Sequence, residues 1–280
     1  MSTNTPKTWF ITGASSGFGT AFANFALQRG DNVVATARSV TKLEALAARA
    51  PDRVLALKLD VTNAADIQPA VDAAMRRFGR IDYLFNNAGY AIIGALEETP
   101  EQELRAQLDT NFFGAIAVTK AVLPVMRAQR SGAIVNISSM GGQMSYPGVG
   151  SYSASKFALE GMSEALALEV KPFGVKVLIV EPGAFRTELA GSAMRYMPVM
   201  PAYQDVIGGI RTVMNDLNGT QPGDPAKLAR AVALALESDV TPLRLQLGAD
   251  SIAAVRTHAE QLLKDLSVWE RVGTETTIET

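Results

Sequence analysis

The 280-residue chain has no cysteine and a single histidine, His258. The first absence excludes disulfides, thiol nucleophiles and cysteine-ligated metals, and no metal ligand set is expected. Long apolar runs are missing as well. The longest, such as VKVLIV at 175–180, are strand-sized, far short of the ~18 residues a membrane span needs. No long basic block occurs, the formal net charge is -2 and the pI is near 5.6. Nucleic acid and anionic membrane surfaces are therefore not expected partners. The opening MSTNTPKTW has neither a basic nor an apolar signal region, so a soluble, cytoplasmic protein is expected.

What is present suits one large α/β domain. Hydrophobic residues make up 48% and charged residues 19%, ample for a core and unlike a disordered chain. Seven near-continuous apolar runs recur: TWFIT (8–12), NVVATA (32–37), RVLALKL (53–59), IDYLFNN (81–87), AIVNIS (133–138), VKVLIV (175–180) and LRLQLG (243–248). Strands buried on both faces read this way. Amphipathic stretches lie between them. Thr99-Pro100 with Gln102 suggests a capped helix start, and Asp224-Pro225 suggests another. This alternation predicts a doubly wound parallel sheet of seven strands, in which ligands bind at the carboxyl ends of the strands. Residues 184–224, rich in Gly, Pro and Met, interrupt the pattern and are read as a substrate lid without strand pairing. Residues 249–280 are read as a helical C-terminal extension.

TGASSGFG at 12–19 follows the first strand and opens a helix. Gly13, Gly17 and Gly19 permit a tight turn, and the backbone of Ser15, Ser16 and Phe18 can approach a pyrophosphate there. The same residues contain G-x-S-x-G, the nucleophile elbow of α/β-hydrolases, with Ser15, Asp250 and His258 in that fold's chain order. That elbow normally follows several strands, whereas this turn follows the first. Further on, Tyr152 and Lys156 stand one helical turn apart in YSASK. Alone, such a pair fits any amphipathic helix.

Together these features resemble the short-chain dehydrogenase/reductase family. The resemblance runs over about residues 7–248 and rests on TGASSGFG, DVT at 60–62, NNAG at 86–89, Asn111, NISS at 136–139, YSASK at 152–156 and EPGAFRT at 181–187. It implies a catalytic set of Asn111, Ser139, Tyr152 and Lys156. Tyr152 would exchange a proton with the substrate oxygen, its pKa lowered from about 10 by the Lys156 ammonium. Ser139 would hold that oxygen. Ser138 is its rival by one position, and the family's spacing selects Ser139. Lys156 would also bind the nicotinamide ribose, and Asn111 would support a water linked to the lysine. The resemblance further implies cofactor contacts by Asp60 and Val61, by Ala88 and Gly89, and by Pro182, Gly183 and Thr187. Asn87 is read more as a strand brace than a ligand contact.

A site built for NAD places a carboxylate on the ribose about 20 residues beyond the glycines. None ends the second strand, and Asp31 lies at its wrong end. Arg38, with Ser15 and Ser39, supplies a cation and hydroxyls suited to a 2′-phosphate, so NADP(H) is expected over NAD(H). Met194, Met197, Met200, Met214, Tyr196 and Tyr203 give the lid an apolar surface. They point to a small hydrophobic ketone, aldehyde or alcohol as substrate. The resemblance also implies a homo-oligomer, dimer or tetramer. A 3-oxoacyl reductase, a non-catalytic dinucleotide-binding regulator and the hydrolase are the alternatives.

Overall fold

In the computed structural model, which describes residues 5–278, each of the seven apolar runs coincides, to within two residues at either end, with one strand of a single parallel sheet. The strands are β1 (Thr8–Ile11), β2 (Asn32–Ala37), β3 (Val54–Lys58), β4 (Tyr83–Asn86), β6 (Gly132–Ile137), β7 (Val175–Pro182) and β9 (Arg244–Leu247). Their order is β3-β2-β1-β4-β6-β7-β9. The order reverses between β1 and β4, which opens a crevice at the carboxyl ends of those two strands.

Successive residues of one strand bury against opposite helix layers. Trp9 and Ile11 pack with helices α1 (Gly17–Gln28) and α8 (Pro225–Glu237), while Phe10 packs with α3 (Ala64–Phe78), α5 (Ala115–Gln129) and α6 (Gly150–Val170). Double-sided burial explains why the strands lack alternation. Phe10 is fully buried, and truncating it to alanine would cost about 3–5 kcal/mol.

Two helix starts behave differently. Asp224 caps α8, its carboxylate accepting from Ala226 N at 2.8 Å. Thr99 does not cap helix α4 (Glu101–Leu108): its hydroxyl donates back to Ala95 O at 2.8 Å, and the helix begins one residue later than expected. The short helix α2 (Glu44–Arg49) fills the link from β2 to β3.

The 184–224 segment is more built than its composition suggests. Met194–Tyr196 forms a strand, β8, that pairs in parallel with β5 (Ala91–Ile93), and Gln204–Leu217 forms helix α7. The Glu98 carboxylate, buried under this segment, accepts from Ala95 N and Met200 N at 2.8 Å and from Arg211 Nη2 at 2.9 Å. These N–H groups, from Met200 and Ala95 first, outweigh burial and hold its carboxyl below the usual range. The expectation of a lid without strand pairing is thus corrected. The C-terminal extension is one long helix, α9 (Ala249–Thr274). Among the described residues, no helix is long and apolar enough to cross a membrane.

Candidate active site

The glycine turn joins β1 to α1 at the crevice. Gly13 and Gly17 have positive φ, 63° and 50°, where a side chain would be strained. A Cβ on Gly19 would run into the Gly13 carbonyl and Ala14. Asn87 locks the turn to β4, its Nδ2 donating to Thr12 O at 2.9 Å and Gly13 O at 3.0 Å. This is the bracing role read from the sequence. Thr12, unforeseen there, accepts from Asn87 N and Ala88 N at 2.9 and 3.1 Å. Ser16 precedes α1 in extended backbone but makes no side-chain cap, and the helix's first turn holds no acidic residue. Its leading N–H groups are therefore available to an anion such as a pyrophosphate. Phe18 packs edge-on against Phe185, centroids 5.5 Å apart.

Arg38 and Ser39 are exposed at the end of β2, beside this turn, with Ala14 N bonded to Thr36 O at 2.9 Å. Arg38 makes no ion pair or hydrogen bond among the described residues, while Ser39 shares a 2.7 Å contact with Thr41. Asp31 lies at the far end, accepting from Trp9 Nε1. Burial pushes the Asp60 carboxyl up, but hydrogen bonds from Thr62, helped by Arg38 and Lys58, leave it below its usual value. Asp60 Oδ1 already accepts from Thr62 N and Oγ1 at 3.0 and 2.7 Å, and Val61 packs against Gly114.

The four expected catalytic residues converge at the carboxyl ends of β4 and β6. Tyr152 and Lys156 share one face of α6, with Nζ 5.6 Å from the Tyr152 ring centroid. Lys156 Nζ donates to Ile137 O at 2.7 Å. Ser139 Oγ accepts from Gly141 N at 3.0 Å, and Gly141 packs between Ser139 and the Tyr152 ring. Ser138 turns the other way, buried beside Gly142 and Glu160. Asn111 lies in a π-helical turn, Asp109–Gly114, between α4 and α5, an irregularity common at functional sites. It accepts from Tyr90 N at 3.1 Å and donates to Tyr90 O and Ser155 Oγ, both at 3.0 Å. A Cβ on Gly89 would stand 3.1 Å from Asn111 Oδ1 and 3.8 Å from Lys156 Nζ. Glycine there keeps the space between them open.

The electrostatics differ from the sequence reading. Burial pushes the Tyr152 phenol up to about 12, with the Ser139 hydroxyl opposing. Burial also pulls Lys156 down to about 8, while Glu160 opposes. Burial, rather than the neighbouring ammonium, sets the sign of the phenol's shift. Thr187 packs across Gly17 while its Oγ1 accepts from Leu189 N at 3.3 Å. Pro182 ends β7, and Gly183 is pressed against the Asp250 carboxylate, which accepts from Ala184 N at 2.6 Å. Asp250 is thereby committed, and no hydrogen bond among the described residues joins it to Ser15 or His258. No hydrolase triad forms.

The sequence reading missed a buried cluster behind the Tyr152–Lys156 pair. Gln143 Nε2 bridges Glu160 and Glu181 at 3.2 Å each, and Arg244 Nε lies 2.9 and 3.5 Å from the same two carboxylates. Burial raises both, Glu181 to about 7. No motif announces it, because its members come from three separate elements and a loop.

Comparison with known proteins agrees with this geometry. The sequence model of the family described as short chain dehydrogenase matches residues 7–196. Oxidoreductase BOA17 of Botryotinia fuckeliana is 39% identical over 268 residues, covering 95% of this chain and 98% of its own. The 3-ketodihydrosphingosine reductase of Bacteroides thetaiotaomicron is 49% identical over 182 residues, 65% of each chain. A solved short-chain dehydrogenase from Streptomyces avermitilis is 48% identical, with a TM-score of 0.93 over 98% of this chain and 100% of that one. A family that binds nicotinamide dinucleotides, an uncapped helix start behind a glycine turn and a converged Ser-Tyr-Lys-Asn set all agree: the chain is an oxidoreductase of the short-chain dehydrogenase family.

Proposed function

We propose that the protein interconverts a hydrophobic ketone or aldehyde and the corresponding alcohol, using NADP(H) in preference to NAD(H). The observation that carries this reading is the meeting of Ser139, Tyr152, Lys156 and Asn111 beside the open glycine turn. The nicotinamide dinucleotide, when bound, supplies or accepts the hydride. The uncapped start of α1 at Ser16–Gly19 would hold its pyrophosphate, and exposed Arg38 would face a 2′-phosphate.

Each side chain has a task its surroundings suit. The Ser139 hydroxyl accepts from Gly141 N and keeps its own proton to donate to the substrate oxygen. A phenol held near pKa 12 is protonated at neutral pH, the state a general acid needs in the reductive direction. As the carbonyl carbon gains a hydride, the oxygen takes the Tyr152 proton and leaves a phenolate. The Lys156 ammonium stabilises that phenolate, while its bond to Ile137 O fixes its position. Asn111, held by Tyr90 and Ser155, stands next to the lysine on the path by which a proton returns.

A hydrophobic substrate fits the lid and agrees with the ketone in the name of one relative. Not every lid residue is free for it: Met197 is buried against Gly94, and Tyr203 OH donates to Glu97 at 2.6 Å. A panel of ketones, offered with NADPH or NADH and followed at the cofactor's near-ultraviolet absorbance, tests the proposal. Turnover with NADPH by the wild type supports it. Cofactor binding with no turnover of any ketone or alcohol would overturn it in favour of a dinucleotide-binding regulator.

A further inference from the structure

The turn that carries Ser139 has little stiffness of its own. Met140–Gly142 is a single turn of 3-10 helix, closed by Gly142 N to Ser139 O at 2.9 Å and by Gln143 N to Met140 O at 3.0 Å. Such turns have poor hydrogen-bond geometry, and the two glycines, Gly141 and Gly142, add backbone freedom. A hydroxyl that holds a reacting oxygen must nevertheless stay within about 0.5 Å of its working position. Something outside the turn has to hold it.

Gln143, the residue that ends the turn, reaches out to do so. Its Nε2 donates to Glu160 Oε2 and to Glu181 Oε1, at 3.2 Å each. Both glutamates are buried, 3% and 0% exposed, and both sit on rigid elements. Glu160 stands on α6 one helical turn beyond Lys156, and Glu181 stands on β7 just before Pro182. Arg244 of β9 fixes the same two carboxylates, its Nε at 2.9 and 3.5 Å, and Gln246 Nε2 donates to Glu181 Oε2 at 2.8 Å. The turn itself lies against this cluster: a Cβ on Gly142 would meet Ser138 Oγ at 2.5 Å and Glu160 Oε1 at 3.0 Å. Ionised carboxylates only accept, so the contact needs a donor at 143 with the reach of glutamine.

We propose that Gln143 is a positioning residue for the reaction: its amide, spanning Glu160 and Glu181, fixes the 139–142 turn and so aims the Ser139 hydroxyl at the substrate oxygen. The proposal rests on the oxygen-holding role given to Ser139 above. Gln143 acts through the turn and needs no contact with the reacting atoms. The same amide ties the Ser139 turn to the helix that carries Tyr152 and Lys156, which keeps the two halves of the site in register.

A double-mutant cycle in the full-length enzyme tests this, using NADPH and the ketone turned over fastest in the panel. Gln143→Leu keeps the size of the side chain and loses its donors. The single-turnover rate of NADPH oxidation should fall about tenfold, a fraction of the ~10²-fold lost with an oxyanion donor, while KM and NADPH affinity change less than about twofold. In a Ser139→Ala background the same substitution should cost almost nothing more, because no hydroxyl is left to aim. A tenfold loss in that background would overturn the proposal alone, since Gln143 would then act elsewhere. An unchanged rate in Gln143→Leu would also overturn it. Ser139→Ala at the wild-type rate would overturn the role of Ser139, and the proposal with it. Circular dichroism checks each fold, and Gln143→Asn, which keeps the amide but falls one methylene short, carries the same cycle if the leucine variant does not fold.

Discussion

The Lys156 ammonium is held by the Ile137 carbonyl oxygen, at 2.7 Å, rather than by the phenol one helical turn before it. The lysine is thus aimed from the end of β6 and stands 5.6 Å from the Tyr152 ring centroid. In the proposed mechanism the ammonium would stabilise a charge that exists only after proton transfer.

Tyr152→Phe removes the proton donor and little else. Activity should fall by more than about 10²-fold, the lower range for loss of a general acid. Cofactor affinity, measured by fluorescence titration, should hold. Full activity with bound NADPH in the variant would refute the mechanism.

The pH profile follows from Lys156. Burial lowers its pKa from 10.5 to about 8, so kcat/KM for reduction should fall as pH rises through about 8. Glu160→Gln removes the charge that raises this pKa, and the falling limb should move to lower pH. The same shift has a cost in stability. Below about pH 8 the cost is complete, and it fades between about 8 and 10.5, where the unfolded chain still holds the proton. A limb that stays in place in Glu160→Gln would remove Glu160 from the account.

Arg38→Ala should weaken NADPH by ~1.5–3 kcal/mol, roughly tenfold to a hundredfold, and leave NADH nearly untouched. Comparing kcat/KM for the two cofactors reads this directly. A wild type that prefers NADH, or equal losses for both, would refute the assignment.

Glu98 anchors the 184–224 segment through Met200 N and Arg211. Glu98→Ala strands the Arg211 guanidinium, and such losses cost about 3–5 kcal/mol when a pair is buried. Amide exchange in α7 should speed sharply while β1 and β4 stay protected. Because the folded carboxyl lies below its ordinary value, the anchor is intact above about pH 4.3 and lost as pH falls through the lower folded value. Uniform exchange rates in the variant and the wild type would show that other contacts hold this segment.

Strand positions were legible because continuous apolar runs have only one comfortable setting, a sheet covered on both faces. The convergence of the motif residues was legible because a doubly wound parallel sheet brings its strand ends to one side. Other features depend on tertiary placement. The pairing of Ala91–Ile93 with Met194–Tyr196 joins three-residue segments with no pattern of their own. Glu98 looks like any surface acid until Arg211 arrives. The sign of the Tyr152 shift depends on burial. Thr99 reads as a helix cap, yet the Ala95 carbonyl claims its hydroxyl first.

Trp9 of β1 pairs with Val33 on one side and with the far later Tyr83 on the other. The first strand synthesised is therefore an interior strand, and one of its edges stays open until β4 has left the ribosome. Such distant pairings slow folding and leave edges exposed meanwhile. Five of the seven strands precede Tyr152 in the chain, so helix α6 emerges onto a sheet whose glycine-turn side can already be formed. The outer edge of β6 waits longer, for β7, and the outer edge of β7 then waits for β9. On the proposed function, nascent chains stalled after residue 137 should bind the dinucleotide's pyrophosphate at the glycine turn before they can turn over any substrate.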